Sequence, residues 1–321
     1  MNILITSAGR RVSLVREFMT EIKALTGEGK VFTADMNPML SSACQVSDGA
    51  FRVPHASSDG FGRELLRICS ENDIRLIIPT IDTELLPLSG IRDSLAGAGT
   101  EIVLSEQELI RKCRDKRLTQ EFFRRAGLKH LKEIEIHNAM FPVFAKPFDG
   151  SSSIGARVIR NSDDLSRAIS SDSRLIFFEY LDPAIHTEFT VDLYFSRQGI
   201  LKCAVPRERL EVRAGEVSKG VTRRGPVYDL VCDKFRNCEG FCGCVTLQLF
   251  RNNDNGEFTA IEINPRFGGG YPLSYRANAN YPAMIIREYL LGEDPDFFDD
   301  WKTDLLMLRY DDEIIVDDYK G

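Results

Sequence analysis

The chain has 321 residues, room for two domains or one large one, and its 43% hydrophobic and 28% charged content is ordinary for a globular protein. A formal net charge of −7 argues against bulk nucleic-acid binding, which leaves a basic footprint. No apolar run approaches the roughly 18 residues of a membrane-spanning helix, and MNILITSAGRR places apolar residues before its charges without a small-residue cleavage site, so a first strand and a cytoplasmic location are expected.

In chain order, Ile3 to Thr6 form a short apolar strand. Val12, Val15, Phe18, Met19, Ile22 and Leu25 then recur at helical spacing. Lys30 to Ala34 read as a second strand, Glu64 to Ser70 as a helix, RLIIPT as a third strand and EIVLS (101–105) as a further one. This alternation predicts a parallel sheet with helices on both faces. Ser105 with Glu108 three residues later has the pattern of a capping box, opening a helix that runs through Ile110 and Arg114–Arg125 until Gly127 stops it.

Beyond this point helices become sparse. PVFAKPFDGSSSIGARVI reads as strand, Gly/Ser-rich turn, strand. RLIFFEYL, TEFTVDLYF, GILKCAV, GCVTLQLF and FTAIEIN are further strands, with helices expected only near 163–170 and 282–291. The fold class is therefore an α/β front domain ending near residue 112, followed by an α+β part with a largely antiparallel sheet. The cysteines 232, 238, 242 and 244 crowd together, but C-x5-C-x3-C-x-C lacks the paired knuckles of a zinc site, and incidental thiols are expected.

The strand FTAIEIN carries Glu262 and Asn264 on one face, with Ile261 and Ile263 on the other. A carboxylate and an amide side by side need a partner. The turn NNDNG predicts a hairpin that brings Gln248 opposite this row, so three oxygen donors converge on one face, either as ligands suited to magnesium or with Glu262 and Asn264 as a structural hydrogen-bonded pair. Arg266 follows directly, suited to phosphate. Lys146 ends an apolar strand before the hydroxyl-rich loop 150–155, whose backbone N–H groups can cradle phosphate oxygens. The order G-x-x-x-x-G-K-[ST] of a P-loop is absent. Glu179 leaves a strand just before Leu181-Asp182-Pro183, and Glu188 lies in the next one. PRERLEVRAGEVSKGVTRRG gathers six basic residues. It reads either as a solvated Gly-containing loop or as a positive wall facing a phosphate and a carboxylate, with Arg209 and Lys219 the leading candidates.

Together these pieces run Lys116 in RDKRLTQ, Lys146, the Gly/Ser loop, the acidic hinge, then Gln248 and IEINPR. This order resembles the ATP-grasp superfamily over nearly the whole chain, most closely the synthetase component of the carbamoyl-phosphate synthase large chain. The resemblance implies a Rossmann-like pre-ATP-grasp domain over 1–112 and an ATP-grasp domain over 113–321. The latter divides into a lid-like subdomain (113–178) and a larger one with the metal site (179–321). By the same likeness Lys116 and Lys146 touch ATP phosphates, and Ser151, Ser152, Ser153 and Gly155 belong to the loop over the phosphate tail. Glu179, Tyr180 and Leu181 form the adenine hinge, and Glu188 takes the ribose hydroxyls. Gln248, Glu262 and Asn264 hold magnesium, or manganese in its place, and Arg266 stands beside the γ-phosphate.

The implied activity is an ATP-dependent ligase joining a carboxylate to an amine through an acyl phosphate. Its partners are small molecules, with neither nucleic acid nor membrane, and its assembly a homodimer as in many relatives. The chain has room for one grasp unit, so ordinary carbamoyl phosphate synthesis is not expected, and GGGYPLS after Arg266 predicts a different acceptor side. Two rivals stand beside this reading. One is a grasp-shaped regulatory module that binds ATP without turnover. The other is a nicotinamide-dependent oxidoreductase using Asp35, although TSAGRR supplies one glycine where the dinucleotide turn needs three. In the ligase reading Asp82 and Glu84 are candidates to orient an amine.

Overall fold

A strand buried at nearly every position must be covered on both faces, and Ile3, Leu4 and Ile5 are each 0% exposed. A computed structural model, describing residues 1–150, 154–169, 173–213, 215–317 and 319, shows how that cover is built. The front part runs β1 (Asn2–Thr6), α1 (Val12–Thr26), β2 (Val31–Asp35), α2 (Ser42–Val46), β3 (Gly49–Arg52), α3 (Phe61–Glu71), β4 (Ile74–Ile78), α4 (Asp82–Gly90), α5 (Arg92–Gly97) and β5 (Glu101–Ile102). Its strands form one parallel sheet in the order β3-β2-β1-β4-β5. The order reverses between β1 and β4, which opens a crevice at their carboxyl ends. β3 escapes a sequence reading because GAFR is short and without a buried row. α4 escapes it because Pro87 lies inside the helix.

The single helix expected from Ser105 to Arg125 is two helices, α6 (Gln107–Arg114) and α7 (Lys116–Arg125). Asp115 between them is extended, and its carboxylate accepts the Arg117 N–H at 3.0 Å, capping α7. Ser105 caps nothing here. Its hydroxyl accepts from the Cys242 N–H at 3.2 Å, and Glu106 takes the cap position of α6. The aspartate won because its side chain offers the backbone a local partner that a continuing helix cannot.

The second half contains two antiparallel sheets. β6 (Val143–Pro147), β7 (Arg157–Ile159) and, after α8 (Ser162–Ile169), β8 (Leu175–Glu179) form a small sheet in the order β7-β6-β8. The large sheet comprises β9 (His186–Phe195), β10 (Leu201–Arg213), β11 (Glu216–Thr222), β12 (Gly243–Asn252), β13 (Phe258–Asn264) and β14 (Leu306–Leu308), in the order β13-β12-β9-β10-β11-β14. Helices α9 (Pro226–Lys234), α10 (Tyr271–Arg276) and α11 (Tyr281–Leu290) complete the fold. The basic stretch 206–225, read as a loop, is largely the β10–β11 hairpin. Its charges fall on both faces, which hides the alternation that marks a strand.

Alternation in β9 sets the layers. Phe189, Val191, Leu193 and Phe195 join Val227 and Val231 of α9 and Phe123 of α7 in one core. Tyr194 on the opposite face joins Phe18, Val15 and Ile22 of α1 in another, together with Ile285 of α11. Helix α1 is thus packed between the parallel sheet and the large antiparallel sheet. Phe18 meets Phe267 edge-on at 5.9 Å, and the Tyr275 hydroxyl donates to Glu21 at 2.6 Å. Among the described residues no helix is long and apolar enough to cross a membrane. All eight cysteines are free, and burial raises the thiols of Cys69, Cys238 and Cys242 to about 11, which leaves them unreactive as nucleophiles.

Candidate functional site

The hairpin β12–β13 sets Gln248 opposite Glu262 and Thr246 opposite Asn264. On β9, Glu188, Thr190 and Asp192 share a face by strand alternation, and β12 pairs Gln248 with Thr190 and Thr246 with Asp192. A polar row therefore runs across three strands of the large sheet. Glu188 Oε1 accepts from both Gln248 Nε2 and Arg209 Nη1, and Asn264 Nδ2 donates to Glu262 Oε1 at 3.0 Å.

Facing this row are two buried lysines. Lys116 opens α7, its N–H bonded to Phe148 O at 2.9 Å and its Nζ to Gly150 O. Lys146 comes from β6, its Nζ 5.0 Å from the centre of the Phe178 ring. They are 8% and 5% exposed, and among the described residues no carboxylate lies within ion-pair distance of either ammonium group. Burial pushes Lys146 down to about 8 against the pull of Glu262, with Lys116 repelling it further. Lys116 is lowered by burial as well, again opposed by Glu262. A narrow cleft of about 20 Å³ lies between Lys116 and Glu262, lined among others by Asp82, Arg114, Gly150 and Asn264.

The loop residues Ser151, Ser152 and Ser153 lie outside the described residues. Gly155 closes that turn at φ +78°, a conformation suited to glycine, against Pro147. Glu179 ends β8. Its N–H donates to Lys132 O at 3.0 Å and its Oε1 accepts the Lys132 N–H at 3.0 Å, so the side chain ties down the chain beside it. Tyr180 and Leu181 follow directly. Leu181, Phe148 and Phe250, all partly buried, pack against Leu131, Ile176, Phe178 and Ile261, which makes an apolar cluster beside the hinge.

Arg266 reaches back to the front domain. Its Nε and Nη2 hold both Asp82 oxygens at 3.1 and 2.7 Å, and Nη1 donates to Phe267 O at 3.1 Å. Asp82 is accordingly a tether across the crevice. Glu84 is wholly buried and accepts from the Ser7 hydroxyl and the Thr80 N–H at 2.7 Å each and from the Ile81 N–H at 3.2 Å. Its carboxylate is consumed by the β4–α4 turn and cannot orient an amine. Lys219 is not brought to the cleft. It neighbours Gly220, the partner of Arg209, and so points to the other face, where it pairs with Glu211 at 2.5 Å, half exposed.

Several groups at the site carry no local signal. Asp192 and Arg207 form a two-point pair at 2.7 and 2.9 Å, 0% and 2% exposed. Asp192 also accepts from Ser274 Oγ at 2.6 Å and, through its carbonyl, from the Tyr281 hydroxyl at 2.8 Å. The loop 268–270 is laid directly on these groups. A Cβ at Gly270 would sit 2.0 Å from Arg207 Nη1, and one at Gly269 1.7 Å from Glu216 Oε2. Arg11 and Arg309 flank the same loop. The Arg10-Arg11 pair in a strand-to-helix turn at a switch point was a usable signal for the first of these. Arg309 had none.

The donor set suits a hard cation that a ligand completes. Among the described residues no three of His, Cys, Asp and Glu gather to hold a metal alone. One carboxylate and two amide oxygens, from Glu262, Asn264 and Gln248, match magnesium, which takes one or two carboxylates together with phosphate oxygens and water.

Residues 3–103 match the family described as "PylC-like, N-terminal domain", and residues 171–310 match "ATP-grasp in the biosynthetic pathway with Ter operon". The chain is similar in fold to the biotin carboxylase domain of Hydrogenobacter thermophilus 2-oxoglutarate carboxylase, solved as a dimer with MgADP and bicarbonate (TM-score 0.72, 15% identity, covering 95% of this chain and 73% of that one). It is also similar to Campylobacter jejuni biotin carboxylase (TM-score 0.73, 15% identity, 95% and 74%). A third likeness is to Staphylococcus aureus N5-carboxyaminoimidazole synthetase complexed with ADP (TM-score 0.71, 18% identity, 92% and 78%). The sequence matches no curated protein. The chain thus carries a PylC-like N-terminal domain on the parallel front sheet and, in the region of the antiparallel sheets, an ATP-grasp domain.

Proposed function

We propose that the protein is an ATP-dependent ligase that activates a carboxylate as an acyl phosphate and transfers it to an amine or similar nucleophile. The observation that carries this reading is the pair of buried ammonium groups, Lys116 and Lys146, facing Glu262 and Asn264 across a narrow cleft, with no carboxylate at ion-pair distance among the described residues. Two desolvated cations side by side call for a polyanion, and a triphosphate supplies it. In this reading the nucleobase lies against the apolar cluster of Leu181, Phe178 and Ile261 beside Glu179 and Tyr180, and Glu188, now bonded to Arg209 and Gln248, takes the ribose hydroxyls. Magnesium or manganese on Gln248, Glu262 and Asn264 would neutralise charge on the β- and γ-phosphates.

In the first step a carboxylate oxygen attacks the γ-phosphorus, and the bond to the β,γ-bridging oxygen breaks to release ADP. In the second the amine lone pair attacks the acyl carbon. Phosphate leaves with the C–O electron pair, and the amine gives up a proton. This chemistry needs positioning and electrostatic stabilisation rather than a protein nucleophile. Lys116 and Lys146 hold the phosphate tail under the loop 151–155, and Arg266 and Arg209 present guanidinium groups at the acceptor end. The domain division at residues 112 and 113, the lid-like subdomain 113–178, a cytoplasmic location and a homodimer belong to the same proposal.

The test is ADP release from Mg-ATP against pooled carboxylates and amines. Acceptor-dependent release is the expected result. ATP binding without release in any mixture would sink the ligase and favour the regulatory module.

Lys146 yields a pH prediction. Its ammonium is charged below about 8 and neutral above, so nucleotide affinity should fall by about tenfold per pH unit above that value. Titration calorimetry with Mg-ADP between pH 7 and 9.5 measures this, with Lys146→Met expected to bind weakly and with a flat profile. A wild-type affinity constant across that range would remove Lys146 from the phosphate site.

A further inference from the structure

Between the crevice of the front sheet and the loop 268–270, positive charge exceeds what the local acids neutralise. Arg10 and Arg11 leave the carboxyl end of β1, Arg207 rises from β10, Arg266 follows β13 and Arg309 follows β14. Two of the five are matched one to one by two-point pairs, Arg266 with Asp82 and Arg207 with Asp192. Asp82, already held by Arg266, also attracts Arg11, and the remaining acid acting on Arg11 and Arg309 is Glu216. It meets Arg309 Nη1 at 3.8 Å, while Arg309 Nη2 donates to Gly269 O at 2.5 Å. Arg11, half buried, places Nη2 3.4 Å from Thr80 O, at the edge of hydrogen-bond range. Burial destabilises the charge on Arg11, and Arg266 and Arg309 repel it. Arg309 is disfavoured the same way, with Arg10 and Arg207 adding repulsion.

Arg10 and Arg309 keep contact with water while Arg11 is half buried, and guanidinium groups clustered in this way repel one another, which an anion among them relieves. Gly269 and Gly270 matter because they let the loop lie directly on Glu216 and Arg207, where any side chain would overlap those groups. The seat adjoins Arg266, at the acceptor end of the cleft, and draws on both domains.

We propose that Arg11 and Arg309, with Arg10 at the rim, seat a second anionic group of the acceptor acid, a carboxylate or a phosphate monoester, besides the carboxylate that ATP activates. The word acceptor rests on the ligase reading, while the seat itself needs no turnover. A monocarboxylate leaves this cluster uncompensated, so the substrates selected are dianions in the sense of two anionic groups, whether a phosphate among them bears one charge or two.

The experiment titrates the full chain, without nucleotide, with acetate, succinate and 2-phosphoglycolate by calorimetry. Both dianions are expected to bind at least about tenfold tighter than acetate. The tighter of the two identifies the group, succinate for a carboxylate and phosphoglycolate for a phosphate monoester. Arg11→Met and Arg309→Met should each weaken the better dianion about tenfold, and Arg11→Lys, which keeps the charge, should regain part of it, with circular dichroism reporting the fold. Equal binding of acetate and the dianions, no binding of either dianion, or wild-type affinity in both methionine variants would overturn the proposal. Dianion binding that depends on Arg11 in a protein that releases no ADP with any acceptor would uphold the seat and refute the ligase.

Discussion

Glu262→Gln is expected to lower acceptor-dependent ADP release by at least about a hundredfold while the fold survives, the range seen when one electrostatic group of a preorganised site is removed. The substitution keeps the size of the side chain and the hydrogen bond to Asn264, made at 3.0 Å from Nδ2. What it removes is the negative charge of the proposed cation site. The same charge opposes the loss of a proton from both buried lysines. Losing it lowers Lys146 below its already depressed value of about 8, so the pH profile of Mg-ADP binding should move to more acid pH. Urea denaturation should show little change, since Glu262 is partly exposed and stands in no ion pair among the described residues. Near-normal turnover in this variant would refute the assignment of the cation site. A normal rate with a shifted pH profile would leave Glu262 as a partner of the lysines only.

Asp192→Ala should cost about 3–5 kcal/mol, the penalty for removing one partner of a buried ion pair. Asp192 and Arg207 are 0% and 2% exposed, so the orphaned guanidinium cannot recover water without opening the sheet. The loss spreads, because Ser274 Oγ also donates to this carboxylate at 2.6 Å. Replacing both partners, as Asp192→Leu with Arg207→Met, should recover most of the stability, since an apolar pair of similar volume leaves no buried charge. Denaturation midpoints of the three proteins at neutral pH decide the matter. A single variant within about 1 kcal/mol of the wild type would show that water reaches Arg207. The doubly substituted protein should also hold the loop 268–270 less firmly, because Arg207 lies directly beneath Gly270.

Much of the site was legible because it sits in regular strands. Alternation in FTAIEIN puts Glu262 beside Asn264 from consecutive residues alone, and NNDNG is a local turn signal that sets the hairpin bringing Gln248 opposite. Lys146 was legible as the polar end of an apolar strand. The basic stretch failed as a reading for a physical reason. Arg207 and Arg209 face the floor of the cleft while Glu208 and Lys219 face away, so every second position is charged on either face and no apolar row marks the strands. The single helix failed because Asp115 caps a second one, and the capping box at Ser105 failed because that hydroxyl takes a tertiary partner, the Cys242 N–H, invisible at that range.

By itself, then, the sequence determined most of the strands, the parallel front sheet and the polar row, since each depends on side chains a few residues apart whose direction follows from backbone geometry. Only the tertiary structure decided which charges meet. Arg266 finds Asp82 184 positions away, Arg207 finds Asp192 across a strand pair, and Arg309 comes to Gly269 from beyond the sheet. Those encounters depend on how α1 is packed between two sheets, a packing set by the summed burial of many apolar side chains. No local pattern of charge encodes it.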